Sequence, residues 1–168
     1  MKPLKIYHSK LKTPIGTLYL GKTEKGLKLI ALDKEEWQRQ LLRLSRKHTL
    51  QFEHNQSKFS QLKQQFGSYF SGRKPLTEFK VDWDGASSFQ KKVWQAMKKI
   101  PYGQTRSYKW IAQKINVRGC RAVGQACGSN PLPILIPCHR VIASDGGLGG
   151  FGGGLKTKIK LLRLERAI

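Results

Sequence analysis

Residues 130–155 limit most strictly what this chain can fold into. They hold three prolines, Pro131, Pro133 and Pro137, and then seven glycines among residues 146–154. Proline fixes φ, lacks a backbone donor and drives the residue before it out of the helical region, and glycine weakens any helix. The sequence therefore predicts that no helix crosses this region. We expect a stiff, extended path through the prolines and then a glycine-rich loop.

A cysteine lies between these two parts, in the sequence PCHRVI of residues 137–142. Its apolar surroundings fit an inert buried thiol, but the adjacent histidine and arginine fit a reactive one. A neighbouring base lowers the pKa of a thiol and favours the nucleophilic thiolate, and a carboxylate normally orients such a base. Glu165, on a predicted amphipathic helix, is the best candidate for this orienting carboxylate, because the C-terminal half of the chain has few acidic residues. Cys138, His139 and Glu165 therefore form the candidate catalytic set, with a packing cysteine as the alternative.

Metal binding is the main rival interpretation of the cysteines. Cys120, Cys127, Cys138 and His139 could be counted as four ligands, but they lack the CxxC-type spacing of structural zinc sites. Cys120 and Cys127 are seven residues apart on one face of a predicted helix, which favours packing in the core. We therefore expect no metal. The chain has three cysteines, an odd number, which indicates reduced thiols in an intracellular protein.

The chain is strongly basic, with 32 Lys and Arg against 10 Asp and Glu and a formal net charge of +22. Such an excess fits a polyanionic partner: DNA, RNA or an anionic membrane. A basic surface that only keeps the protein dispersed is the alternative. No run reaches the length of a membrane span, and no apolar segment of a secretory signal follows the basic start. We therefore expect a cytoplasmic protein that does not enter a membrane.

Hydrophobic periodicity predicts two domains that meet near Asp84. In residues 1–83, apolar residues with period two predict strands, and two amphipathic helices are predicted at 35–48 and 59–72. We expect a small α/β domain with an antiparallel sheet and helices. The apolar stripe of its first helix consists of Trp37, Leu41, Leu42 and Leu44.

Residues 84–168 are predicted to form a mainly α-helical domain. Ser107 is a candidate N-cap for the second of its four helices. A short turn joins the second helix to the third in a segment with bases and no acid, which favours a helix-turn-helix; an ordinary helical pair is the alternative. Leu148, Phe151 and Leu155 interrupt the glycines, which favours an anchored loop over a mobile linker. The predicted helices span 87–100, 108–115, 120–128 and 156–168.

Four blocks of the second domain resemble one known family. The blocks IPYGQTRSYKWIA, RAVGQACGSNP, ILIPCHRVIASDGGLGGFGGGL and KIKLLRLE occur in the order and spacing of the O6-alkylguanine-DNA alkyltransferases, also called methylated-DNA–protein-cysteine methyltransferases. The first domain resembles the variable N-terminal domain of that family only loosely. The resemblance implies direct-reversal DNA repair, in which an alkyl group such as methyl moves irreversibly from O6 of guanine to Cys138. The base is flipped out of duplex DNA, and each molecule acts once. Activity on O4 of thymine stays open.

The resemblance also implies a role for each catalytic residue. Cys138 is the alkyl acceptor, His139 is the base that works through a water, and Glu165 orients His139. Tyr108 protonates N3 of the departing guanine, and Asn130 holds the cysteine segment. No cofactor is implied.

The remaining implied residues bind the base or the DNA. Arg121 fills the space of the flipped base, and the backbone near Val141 and the loop 148–152 line the guanine pocket. The partner is double-stranded DNA contacted through its minor groove, by a monomer whose cooperativity along DNA stays open. Phe151 stands where the family often has tyrosine. The implied substrate- and DNA-binding residues are Ser107, Arg121, Cys127, Gly128, Val141, Leu148, Gly149, Phe151 and Gly152.

Two other functions compete with alkyl transfer. A non-catalytic lesion-binding protein of the same fold would lack the acceptor cysteine, so the presence of Cys138 counts against it. A cysteine hydrolase would use Cys138 and His139 for many turnovers, and the basic helix-turn-helix setting gives that hypothesis little support.

Overall fold

The computed structural model describes residues 3–73 and 75–168, and the chain divides into two compact units, Met1–Trp83 and Asp84–Ile168. In the described part of the chain, every helix is too short or too polar to cross a membrane.

The first unit is built on a four-stranded sheet. Its strands are β1 (Leu4–Thr13), β2 (Gly16–Thr23), β3 (Gly26–Ala31) and β4 (Leu50–His54), in the order β3-β2-β1-β4. The first three form antiparallel pairs, as predicted, but β4 pairs with β1 in parallel. The expectation of a purely antiparallel sheet is therefore wrong. The chain crosses back through a helix before β4, and such a crossover is the connection that parallel strands require.

Two helices accompany this sheet. Helix α2 (Ser60–Phe70) follows a 3₁₀ turn, and the apolar side chains on its inner side are buried except for Phe70, which is half-buried. Helix α1 (Lys34–Ser45) forms where predicted, but none of its residues is buried and Leu42 is 61% exposed. The apolar stripe of α1 is therefore only partly covered, because α1 packs on β3 at one end of the sheet. The buried residues before and within α2 are Phe59, Leu62, Phe66 and Tyr69.

The second unit is mainly helical, as predicted. Ser87 closes a capping box at the start of the first helix, and the Ser107 hydroxyl accepts a hydrogen bond from the Trp110 N–H at the start of the second. The only other regular structure in the described residues of this unit is a short parallel pair, β5 (Arg106–Ser107) with β6 (Val141–Ile142), and a 3₁₀ turn. The helices are α3 (Ser88–Lys98), α4 (Tyr108–Lys114), α5 (Cys120–Gly128) and α6 (Leu155–Leu164).

Helices α3, α4 and α5 pack against one another. Val93 and Met97 of α3 are fully buried, and the indole N–H of Trp94 donates to the Ala126 carbonyl on α5 at 2.8 Å. This contact fixes the C-terminal end of α5 beside α3. The chain leaves α5 there and enters the proline-rich segment.

Candidate active site

The proline-rich segment folds back on itself instead of running extended, so the predicted extended path is wrong. Prolines fix only their own φ, and Ile134 between them takes φ +73°. The resulting turn is closed by a hydrogen bond of 2.8 Å from the Ile136 N–H to the Leu132 carbonyl. The turn brings Ile136 next to Asn130, at the end of α5.

Asn130 fastens this turn from inside the protein. Its side-chain amide donates to the Ile136 carbonyl at 2.8 Å and its side-chain oxygen accepts from the Leu132 N–H at 3.0 Å. The Ile136 carbonyl also accepts from the Cys138 N–H at 2.8 Å. Asn130 is 7% exposed, so these bonds are shielded from water. The backbone at Cys138 is therefore held by a buried side chain.

Cys138 begins a 3₁₀ turn, Cys138–Arg140, and is half-buried. The two side chains that follow it in this turn are buried. This geometry leaves Cys138 partly exposed, while the histidine and arginine side chains are buried.

His139 is fully buried and bonded to Glu165. Its Nε2 lies 2.8 Å from Oε1 of Glu165, the C-cap residue of α6. Burial alone would raise the pKa of Glu165, but hydrogen bonds from His139 and Arg140 outweigh it and lower that pKa to about 2. The carboxylate is therefore ionised and can only accept hydrogen bonds. His139 consequently carries its proton on Nε2.

This tautomer decides what His139 can do. Burial lowers the pKa of His139 more than the bond to Glu165 raises it, so the imidazole is neutral near pH 7. Its Nδ1 is then an acceptor, and it is buried without a hydrogen-bond partner among the described residues. A buried acceptor nitrogen without a partner is able to accept a hydrogen bond from a thiol or a water.

Arg140 completes the group, a role that the sequence analysis did not assign. Its Nε and Nη2 donate to the two oxygens of Glu165 at 2.7 and 2.9 Å, and its Nη1 donates to the Ile100 carbonyl at 2.8 Å. Both charged groups are buried, so the bidentate pair holds the carboxylate in one orientation. The arginine directly after the histidine was visible in the sequence, but its partner was not.

Lys158 is a second residue that the sequence analysis missed. It lies on the inner face of α6 with 0% exposure, and its ammonium donates to the carbonyls of Val141, Leu148 and Gly150. Three carbonyls around one ammonium tie β6 to the glycine-rich loop. The signal was available: Lys158 precedes the buried Leu161 and Leu162 by three and four residues, the helical spacing of one face.

Tyr108, at the start of α4, lies against the same loop. A Cβ added to Gly149, where φ is +69°, would come 3.2 Å from the Tyr108 hydroxyl oxygen. Burial raises the pKa of Tyr108, and the nearby thiols of Cys127 and Cys138 raise it further, so its proton is retained at neutral pH. The tyrosine thus places a protonated hydroxyl group near Cys138.

The two other cysteines differ from each other. Cys127 is buried, and burial together with the Cys138 charge raises its pKa to about 12, so it stays a neutral thiol. Cys120 is exposed, which shows that its expected place in the core is wrong. It is the first residue of α5, and the end of the helix leaves that position uncovered.

The remaining predicted residues lie around this centre. Val141 is fully buried in β6, and its neighbour Ile142 pairs with Ser107 across the short sheet. Leu148 and Phe151 are half-buried. The exposed ones are Arg121 and Gly128 on α5 and Gly149 and Gly152 in the loop. Within the described residues, no group of three or more His, Cys, Asp or Glu side chains is arranged to hold a metal ion.

Family models match nearly the whole chain. The model described as "6-O-methylguanine DNA methyltransferase, ribonuclease-like domain" matches residues 6–83, and the one described as "6-O-methylguanine DNA methyltransferase, DNA binding domain" matches residues 88–167.

Curated relatives and solved structures agree with these models. The methylated-DNA–protein-cysteine methyltransferase of Methanosarcina barkeri is 40% identical over 95% of this chain and 97% of its own length. The constitutive enzyme of Bacillus subtilis is 39% identical, with 95% of each chain covered. The crystal structure of Mycobacterium tuberculosis OGT in complex with DNA superposes with a TM-score of 0.80, at 37% identity over 95% of this chain and 92% of that one. The chain therefore belongs to the 6-O-methylguanine DNA methyltransferase family.

Proposed function

We propose that this protein repairs DNA by direct reversal, moving an alkyl group from O6 of guanine to the sulfur of Cys138. The observation that carries the proposal is the buried His139, bonded through Nε2 to an ionised Glu165 and with its Nδ1 left as an acceptor. A base of this kind, adjacent to a half-buried cysteine, suits removal of the thiol proton. The names of the relatives support the same reaction.

The proposed step is a displacement at the alkyl carbon. The thiol proton passes to Nδ1 of His139 through a water, and the thiolate forms a new S–C bond while the C–O6 bond breaks. Tyr108, whose raised pKa keeps it protonated, gives a proton to N3 of the leaving guanine. The product is a thioether at Cys138, which is a poor leaving group. Each molecule therefore acts once, without a cofactor.

Four residues are proposed to prepare the site rather than to react. Glu165 fixes the tautomer of His139, and Arg140 fixes Glu165. Asn130 holds the Cys138 backbone, and Lys158 holds the loop whose Leu148–Gly152 part lines the guanine pocket. Each of these four side chains is buried, so the site is held in place before substrate arrives.

The second unit is the proposed DNA-binding and alkyl-acceptor domain. Duplex DNA hides O6 of guanine in the stack, so the nucleotide has to be flipped out, and the exposed Arg121 on α5 is the side chain proposed to fill the gap. We infer contact by α5 in the minor groove, with Ser107, Cys127 and Gly128 near the DNA or the pocket. The protein is proposed to act as a monomer inside the cell, where its DNA substrate lies.

Mass spectrometry tests the proposal directly. The protein is mixed with a duplex that holds one O6-methylguanine, digested and analysed. The peptide with Cys138 should gain one methyl group, to a ceiling of one per molecule. Cys138→Ser should abolish transfer but keep DNA binding, whereas Cys120→Ser, at an exposed thiol, should transfer normally. Many turnovers per molecule would favour the hydrolase, and tight lesion binding without a methylated peptide would favour the non-catalytic reader.

A further inference from the structure

The first unit carries an open groove that the alkyl-transfer site does not use. The groove lies between helix α1 and strand β4 and has a volume of about 740 Å³, within the range of small-molecule sites. Its apolar floor is formed by Leu41 and Leu42 of α1 and by Leu50 and Phe52 of β4. We refer to this feature as the α1–β4 groove.

The groove exists because α1 covers only half of one sheet face. Trp37 of α1 packs on Gly21 of β2, and Gly21 is paired with His8 of β1, which in turn is paired with His54 of β4. These paired residues share one face of the sheet, and Phe52, two residues before His54, lies on it as well. Helix α1 thus sits over β2 and β3, and the β4 side of that face remains uncovered.

The uncovered side of the groove includes large apolar side chains. Among the described residues only four large hydrophobic side chains are exposed, and two of them, Leu42 at 61% and Phe52 at 47%, line this groove. Single exposed apolar residues need no explanation, whereas these two share one concavity with the half-buried Leu41 and Leu50, which makes the groove a candidate docking surface.

The charge around the groove selects the kind of partner. Arg46, Lys47 and His48 lie at its rim, and none of the described residues that line it is acidic. In the described part of the chain neither Arg46 nor Lys47 takes part in a salt bridge. A second copy of a chain with net charge +22 would be repelled. A DNA backbone would match the rim but leave Leu42 and Phe52 in contact with water.

We propose that the α1–β4 groove binds a short acidic segment of a partner protein, whose apolar side chains fill the floor between Leu42 and Phe52 while its carboxylates face Arg46 and Lys47. The proposal is independent of alkyl transfer, because all these residues lie in the first unit. Apolar anchors supply most of the affinity of such a segment, and the opposite charges speed and orient its approach.

Fluorescence anisotropy on the full chain tests the proposal. The probe is a fluorescein-labelled octapeptide of aspartates interrupted by two phenylalanines. It should bind with a Kd below about 1 mM. Leu42→Ser and Phe52→Ser should each weaken binding about tenfold, as loss of a buried anchor does. Ile168→Ser, at a side chain 59% exposed outside the groove, is the matched control and should not change the Kd.

A charge pair of variants separates local from general attraction. Lys47→Glu should weaken binding several-fold, and Lys12→Glu, also at an exposed lysine, should have little effect. All five positions are exposed, so the variants are expected to fold, which circular dichroism checks.

Four results would overturn the proposal. The first is an absence of binding up to millimolar probe, and the second is equal affinity for an octapeptide of aspartate alone. The third is displacement of the probe by an undamaged DNA duplex, if that duplex also binds Leu42→Ser more weakly than the wild-type protein. The fourth is a dimer in sedimentation that is lost in Leu42→Ser. The last two would assign the groove to DNA or to a second copy.

Discussion

Replacing Glu165 by glutamine is expected to destabilise the second unit strongly although the side chain keeps its shape. The carboxylate accepts hydrogen bonds from His139 at 2.8 Å and from Arg140 at 2.7 and 2.9 Å. The amide of glutamine has only one oxygen to accept these hydrogen bonds. Its NH₂ group is itself a donor and would face one of the N–H donors of His139 or Arg140. The Arg140 guanidinium, 8% exposed, would then be left buried without a counter-charge.

Two estimates of the loss in the free energy of unfolding agree. Breaking one side of a buried ion pair costs about 3–5 kcal/mol. The folded pKa of Glu165 is about 2, against an ordinary value of 4.5, and this difference corresponds to about 3 kcal/mol of interaction with the ionised form. Since Glu165 is 2% exposed, solvent screening reduces this figure little. The loss would be a large part of the stability of a small domain.

Urea unfolding at pH 7, followed by circular dichroism and tryptophan fluorescence, measures this loss. The matched control is Asp145→Asn, which removes the same charge from an exposed acid of the same unit and should cost less than about 0.5 kcal/mol. Adding Arg140→Met to Glu165→Gln should cost less than the sum of the two single changes, because the unpaired charge is removed. A loss below about 1 kcal/mol for Glu165→Gln, or additive single changes, would refute the reasoning.

Four further outcomes are expected. The rate of methyl transfer should fall about a hundredfold or more in Glu165→Gln, measured in single turnover, since the amide can donate to Nε2 and move the imidazole proton to Nδ1, the proposed base; an unchanged rate would contradict the assigned tautomer. The free energy of unfolding should begin to fall below pH 6.5, because His139 takes up a proton in the unfolded chain but not in the folded one. It should fall again from pH 4.5 toward 2 as Glu165 is protonated. Unfolding measured at a series of acidic pH values checks both. Asn130→Ala should cost about 2–4 kcal/mol in urea unfolding through two lost buried hydrogen bonds, compared with about 1 kcal/mol for the exposed cap variant Ser87→Ala. Gly149→Ala should lower the free energy of unfolding by about 1–2 kcal/mol, because φ at this position is +69°, and it should also slow transfer, because its Cβ would press on the Tyr108 hydroxyl; an unchanged transfer rate would place that contact outside catalysis.

Local sequence signals predicted most of the elements of both units. Apolar residues two apart predicted the three antiparallel strands between their turns, although β3 is buried at every position, and α3 and α4 begin directly after the serines that cap them. The sequence did not predict β4, where a polar, five-residue strand with mostly exposed side chains gives little alternation to detect. Its parallel pairing with β1 depends on where α1 returns the chain, which no local pattern records.

The candidate site divides in the same way. Cys138 and His139 were predicted because their chemistry is adjacent in the chain, and Glu165 because its half has few acids. Lys158 was missed because a lysine inside an apolar face is normally solvent-exposed, and only the three carbonyls that converge on it explain its burial.

The sequence by itself predicted the division near Asp84 and the candidate nucleophile Cys138, and it fixes the net charge of +22, because these follow from composition and from neighbours along the chain. The tertiary structure alone decided which nitrogen of His139 contacts Glu165 and which cation holds that carboxylate. It also decided that the proline segment turns back toward Asn130 and that one side of a sheet face stays open beside α1. Each of these depends on atoms that are distant in sequence and meet only when helices and strands pack, where burial makes hydrogen bonds and charges selective.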